Sequence, residues 1–126
     1  MINLHNNMKF EFFYDKEDDI LSIYRKDLQP SETVEFEESI NIDIDKEGFV
    51  VGMEIFDAGE FLGSLNKELN KEFLENLESI VIEDKQFRNN WYIILLLKAK
   101  NKEIISQPMP LLSKSEYKSP LIMNIV

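Results

Sequence analysis

The chain has 126 residues, 44% hydrophobic and 30% charged, with a formal net charge of −10. That length fits a single domain spanning 1–126 with one core, and the composition excludes a disordered chain. The lack of cysteine excludes a disulfide framework and thiolate metal sites and fits a reducing, cytoplasmic setting; the longest apolar run, 91–97, is too short to span a bilayer, so no membrane is expected.

Charge is unevenly distributed. Residues 1–60 carry −11 and residues 61–126 carry +1. An acidic half repels phosphate backbones, so no nucleic acid is expected as a partner. A basic protein is the better match, because complementary fields speed encounter and bias partner choice. The alternative is that the charges serve solubility alone.

Residues 1–7 are polar, lack the apolar stretch of a signal peptide and read as a flexible leader. Phe10, Phe12 and Tyr14 then alternate with Lys9, Glu11 and Phe13, as in a largely buried strand. Residues 15–19 form a charged turn. Leu21 and Ile23 mark one face of the next strand, and Pro30 ends the hairpin. Ile40, Ile42 and Ile44 alternate with polar residues, the pattern of a strand with one wet face. Asp45-Lys46-Glu47-Gly48 is a turn with glycine at a positive φ, after which Val51, Met53 and Ile55 return to the buried face. Asp57 and Glu60 have capping-box spacing for a helix.

The segments Tyr14-Asp15, Asp19-Ile20-Leu21-Ser22-Ile23, Asp45-Lys46-Glu47-Gly48 and Val51-Gly52-Met53-Glu54-Ile55-Phe56-Asp57-Ala58 carry a resemblance. Over residues 9–62 the chain resembles the uncharacterised small-domain family called domain of unknown function 2283. The resemblance implies a compact antiparallel sheet followed by a helix, in accessory proteins of bacteria and archaea with toxin–antitoxin-like neighbours. It implies no activity, and it does not cover the extension from residue 63.

Leu62, Leu65, Leu69, Phe73 and Leu77 recur at helical spacing, with Leu74 widening the stripe. Gly63-Ser64 is expected to interrupt the helix and Asn66 to cap a second segment. The stripe packs on the sheet or receives a partner. Residues 79–83 read as a short strand and 88–90 as a turn. Residues 91–98 read as a strand apolar on both faces: Trp91, Ile93, Leu95 and Leu97 on one, Tyr92, Ile94 and Leu96 on the other. Such a strand must be covered twice, by the helix on one face and by a second layer or second copy on the other. A turn at Asn101-Lys102 leads to a strand at 104–105 that Pro108 and Pro110 end or hold at an edge. Within the tail, 113–126, Leu121, Ile122, Met123, Ile125 and Val126 are apolar enough to fold back or join a neighbour. The expected fold is therefore α+β: an antiparallel meander, a helical segment, then further antiparallel strands, with 63–112 forming the helix-plus-strands extension.

Two carboxylate groups are candidate sites for hard cations: Asp15 and Asp18 in the first turn, and Asp43 and Asp45 in the second. Asp43-x-Asp45-x-Glu47-Gly48 with Glu54 nearly meets a calcium-loop pattern, but Glu47 is longer than the expected residue and the flanks have strand rather than helix periodicity. The alternative is turns held by Asp–backbone bonds. Glu54 beside Gly52 is a lone candidate for carboxylate chemistry, against an ordinary exposed strand position. His5 is the sole histidine, which excludes a catalytic triad or a His-rich zinc site built outside the leader. Lys98, Lys100 and Lys102 alternate, so they share one face at a strand end; they touch phosphate or an acidic partner, or are the ordinary solvated lysines of a strand end. No cofactor motif is present. The reading is a non-enzymatic, homo-oligomeric interaction protein with a basic protein partner, its interface drawn from Trp91, Tyr92, Ile94, Leu96, Leu121 and Ile122. The rival is a metal- or metabolite-dependent protein using the acidic turns.

Overall fold

The structure, a computed structural model, describes residues 10–36, 38–88 and 90–113. The first hairpin joins β1 (Glu11–Asp15) to β2 (Ile20–Tyr24). Its turn is held by the Asp15 carboxylate, which accepts from Glu17 N and Asp18 N at 3.0 and 3.1 Å. The chain then crosses to the far edge and returns as β3 (Glu32–Phe36), β4 (Ile40–Ile44) and β5 (Val50–Phe56). The order is β1-β2-β5-β4-β3, antiparallel throughout, so β5 lies in the middle beside β2. Gly48 takes φ 91 in the β4–β5 turn, and Asp45 Oδ1 accepts from Glu47 N and Phe49 N.

Strand β3 has no forerunner in the sequence reading. Its core-facing residues are Val34 and Phe36, and the rest are polar and exposed, so the period-two signal is too short to stand out.

Helix α1 (Ala58–Leu65) follows β5 and α2 (Lys71–Glu75) follows a short turn. Four expectations are corrected. Asp57 makes no side-chain cap; it sits at φ 50 in the left-handed region, and no capping box forms with Glu60. The cap comes from Asp19 in the β1–β2 turn, whose Oδ1 accepts from Gly59 N at 2.9 Å while its carbonyl accepts from Ala58 N at 2.8 Å. Gly63-Ser64 does not break α1, because its hydrogen-bond ladder already closes through Asn66 N to Leu62 O. Asn70, not Asn66, caps α2 by accepting from Phe73 N at 2.9 Å. Leu77 has left the helical stripe and opens the next strand.

The second sheet comprises β6 (Leu77–Phe87), β7 (Asn90–Ala99), β8 (Ile105–Pro108) and β9 (Leu112–Ser113). Strand β7 is central, with β6 on one side and β8 then β9 along the other. Strand β6 is much longer than the five residues expected, because Glu83, Lys85 and Gln86 continue the pairing with Ile94, Tyr92 and Trp91 despite their polarity. The two strand groups are thus two sheets, and their inner faces share one core. Leu21, Ile23, Ile42, Met53 and Ile55 of the first lie in the same apolar cluster as Ile80, Ile82, Trp91, Ile93, Leu95 and Leu97 of the second. Leu62, Leu69, Phe73 and Leu74 of the helical segment join that cluster. The core against the inner face of β7 thus includes the first sheet as well as the helical segment.

Candidate functional site

Three polar or aromatic contacts join the sheets. Trp91 Nε1 donates to Gly48 O at 2.9 Å, and the Trp91 ring meets Phe36 edge-on at 6.0 Å. Buried Asp84 accepts from Val50 N at 3.1 Å. Trp91 is 1% exposed and so belongs to the interior; it cannot present an outward surface. Asp84 has a weak sequence signal, a polar residue where the alternation of Ile80 and Ile82 calls for an apolar one. Asp19 has none beyond its place in an acidic turn.

Two further polar groups are shaped by burial. Burial pushes the Tyr14 hydroxyl well above its usual pKa; its 2.6 Å hydrogen bond to Asp19 and the charges of Asp19, Glu75 and Asp15 act in the same direction. Burial lowers the Arg25 pKa, against the opposing pull of Asp27, Asp45 and Asp84. The Arg25 guanidinium lies over the Phe10 ring, 5.4 Å from its centroid.

The four candidate cation ligands fall in two separate pairs. Asp15 ends β1 and Asp18 lies in the turn after it, while Asp43 lies on β4 with Asp45 just after it. Strands β1 and β4 are separated by β2 and β5, about 14 Å at ordinary strand spacing. Among the described residues, no three Asp, Glu, His or Cys side chains gather to hold a metal ion. Glu54 sits in mid-β5 between Ser22 and Asn41, away from the turn that carries Asp45 and Glu47.

Glu54 instead belongs to the outward face of the first sheet. The register runs Phe13, Ser22, Glu54, Asn41, Glu35 across one row and Glu11, Tyr24, Gly52, Asp43, Thr33 across the next. Phe13 is 62% and Tyr24 41% exposed. The five strands contain no Lys, Arg or His at any position. This face is acidic with exposed aromatics and no internal counter-charge.

The lysines lie elsewhere. Lys98 pairs with Glu78 at 3.4 Å, whereas Lys100 and Lys102 line an open cavity of about 330 Å³ with Lys67, Asn70 and Asn76. Glu68 and Glu72 share that lining, so its charge is nearly balanced.

The outward face of the second sheet is different again. Tyr92, Ile94 and Leu96 run along its central strand, with Tyr92 53% and Ile94 36% exposed. Leu121 and Ile122 lie outside the described residues, as does the leader. Among the described residues, no helix is long and apolar enough to cross a membrane.

Residues 11–58 match the sequence family described as "Protein of unknown function (DUF2283)". The matched segment is the whole first sheet and the start of α1, ending at the Asp19-capped Ala58. No curated protein and no solved structure matches the chain.

Proposed function

We propose that the chain is a non-enzymatic interaction protein, a homo-oligomer whose first sheet receives a basic protein partner in an accessory, antitoxin-like role. One observation carries this reading: the outward face of that sheet sets Glu11, Glu35, Asp43 and Glu54 beside Phe13 and Tyr24, on strands free of any basic residue. A carboxylate field steers cationic partners, and exposed aromatic rings add cation–π attraction for Arg and Lys. In the turns, Asp15 and Asp45 are engaged in holding backbone N–H groups.

The test uses an arginine-rich peptide and two double variants of equal net charge. Glu35→Gln with Glu54→Gln neutralises the face; Glu17→Gln with Glu47→Gln neutralises the turns. The face pair is expected to weaken binding at least tenfold and the turn pair by less than threefold, with affinity falling as salt rises. Equal losses from the two pairs would show that total charge, not this face, attracts the peptide.

A further inference from the structure

We propose that the outward face of the second sheet is the surface on which two copies of this chain meet, stacked face to face about a two-fold axis. The inference rests on the homo-oligomer reading above and assigns it a surface and a geometry. Outward positions on β6 are Val81, Glu83, Lys85 and Phe87, opposite Leu96, Ile94, Tyr92 and Asn90 of β7. Phe87 and Tyr92 are exposed, and Glu83, Lys85, Tyr92 and Ile94 line a shallow depression of about 330 Å³.

Reversal of that order is informative. A two-fold axis running across the strands, between the Tyr92 and Ile94 rows, turns Val-Glu-Lys-Phe onto Phe-Lys-Glu-Val. Val81 then meets Phe87 of the other copy, Glu83 meets Lys85, and Tyr92 meets Ile94. Val81, Phe87, Tyr92 and Ile94 are covered by apolar groups, Leu96 meets Asn90 at the rim, and the Glu83–Lys85 pair forms twice. An isologous interface requires this self-complementarity. The first sheet's outward face fails the same requirement, since carboxylates would meet carboxylates.

The patch is small. Three strands about 4.8 Å apart present less than the roughly 800 Å² per partner of a tight complex. The expected product is a reversible dimer with its sheets about 10 Å apart.

Sedimentation velocity on the full chain over a wide concentration range tests this, with circular dichroism confirming the fold of each variant. A monomer–dimer equilibrium is expected, weakened at least tenfold by Ile94→Lys. Lys85→Glu should also weaken it, and Lys85→Glu combined with Glu83→Lys should restore it, because the swapped pair is again self-complementary. A dimer indifferent to Ile94→Lys and to Lys85→Glu overturns this surface while leaving the homo-oligomer reading intact. So does a dimer that survives Ile94→Lys but is lost on Glu83→Pro, which would mark edge-to-edge pairing of β6. A monomer at every concentration overturns both, and shielding of Ile94 in that monomer would identify residues 114–126 as the occupant.

Discussion

The two sheets share one core but treat their outward faces in opposite ways. The first sets Phe13 and Tyr24 among polar outward residues, and every charge its strands carry is negative. The second keeps Tyr92, Ile94 and Leu96 outside and balances Glu83 against Lys85. A single-sign face repels its own copy and attracts opposite charge. A mixed, apolar face lacks that repulsion. The difference shows that burial dictates the inner residues of both sheets, while the outer residues are free to specify what each sheet meets.

The largest expected effect separates inner from outer positions on one strand. Trp91→Ala removes the inter-sheet indole and its bond to Gly48 O, and should cost about 3–5 kcal/mol. Ile94→Ala, three residues away on the outward face, should cost the monomer under about 1 kcal/mol. Urea unfolding of dilute protein measures both. Comparable losses would mean that the outward face is covered within the monomer.

Asp19 comes next, and it marks where the sequence was legible. The alternations 40–44 and 51–55, the glycine turn at 48 and the two-sided strand 91–98 all appear as read, because each signal lies within a few neighbouring residues. The cap of α1 did not, because its donor and acceptor are forty residues apart. Asp57 and Glu60 matched the local motif, but the left-handed backbone at Asp57 leaves no side-chain cap there. The acidic outward face was legible only as a charge imbalance, since the chain order 1-2-5-4-3 decides which carboxylates become neighbours. Asp19→Ala should cost about 2–3 kcal/mol through the lost cap and the left-handed φ of 57. Asp19→Asn keeps an acceptor and tolerates that φ, so it should recover at least half. Glu60→Ala should change stability by less than about 0.5 kcal/mol. The reverse ranking would reinstate the capping box.

A smaller effect concerns pH on the side of the core where β1 lies. Tyr14 holds its proton more tightly when folded than its usual pKa near 10 implies, chiefly because it is buried and then because it donates to Asp19. The unfolded chain therefore releases this proton first as pH rises. Tyr14's contribution is complete below pH 10 and declines above it, as the unfolded state gains from ionisation. Denaturation midpoints from pH 9 upward should fall less steeply in Tyr14→Phe than in the parent chain. Parallel slopes would show that other groups govern alkaline unfolding.

The smallest expected effect tests the charge contrast directly. Glu35 and Glu54 flank Asn41 on the first sheet, about 10 Å apart at two strand spacings. That separation is near the Debye length of about 10 Å at 0.1 M salt, so their repulsion is weak but present. Glu54→Gln should raise stability by a few tenths of a kcal/mol at low salt and by nothing measurable in 1 M salt, where screening reaches about 3 Å. On the second sheet, Glu83→Gln removes a charge beside Lys85 and gains nothing from relief of repulsion. Its stability change should therefore be zero or slightly negative at low salt. Thermal melts of the two variants at both salt concentrations read the difference. Stabilisation by both substitutions would mean that excess negative charge acts over the whole molecule, and the distinction between the two faces would then lie in their apolar residues alone.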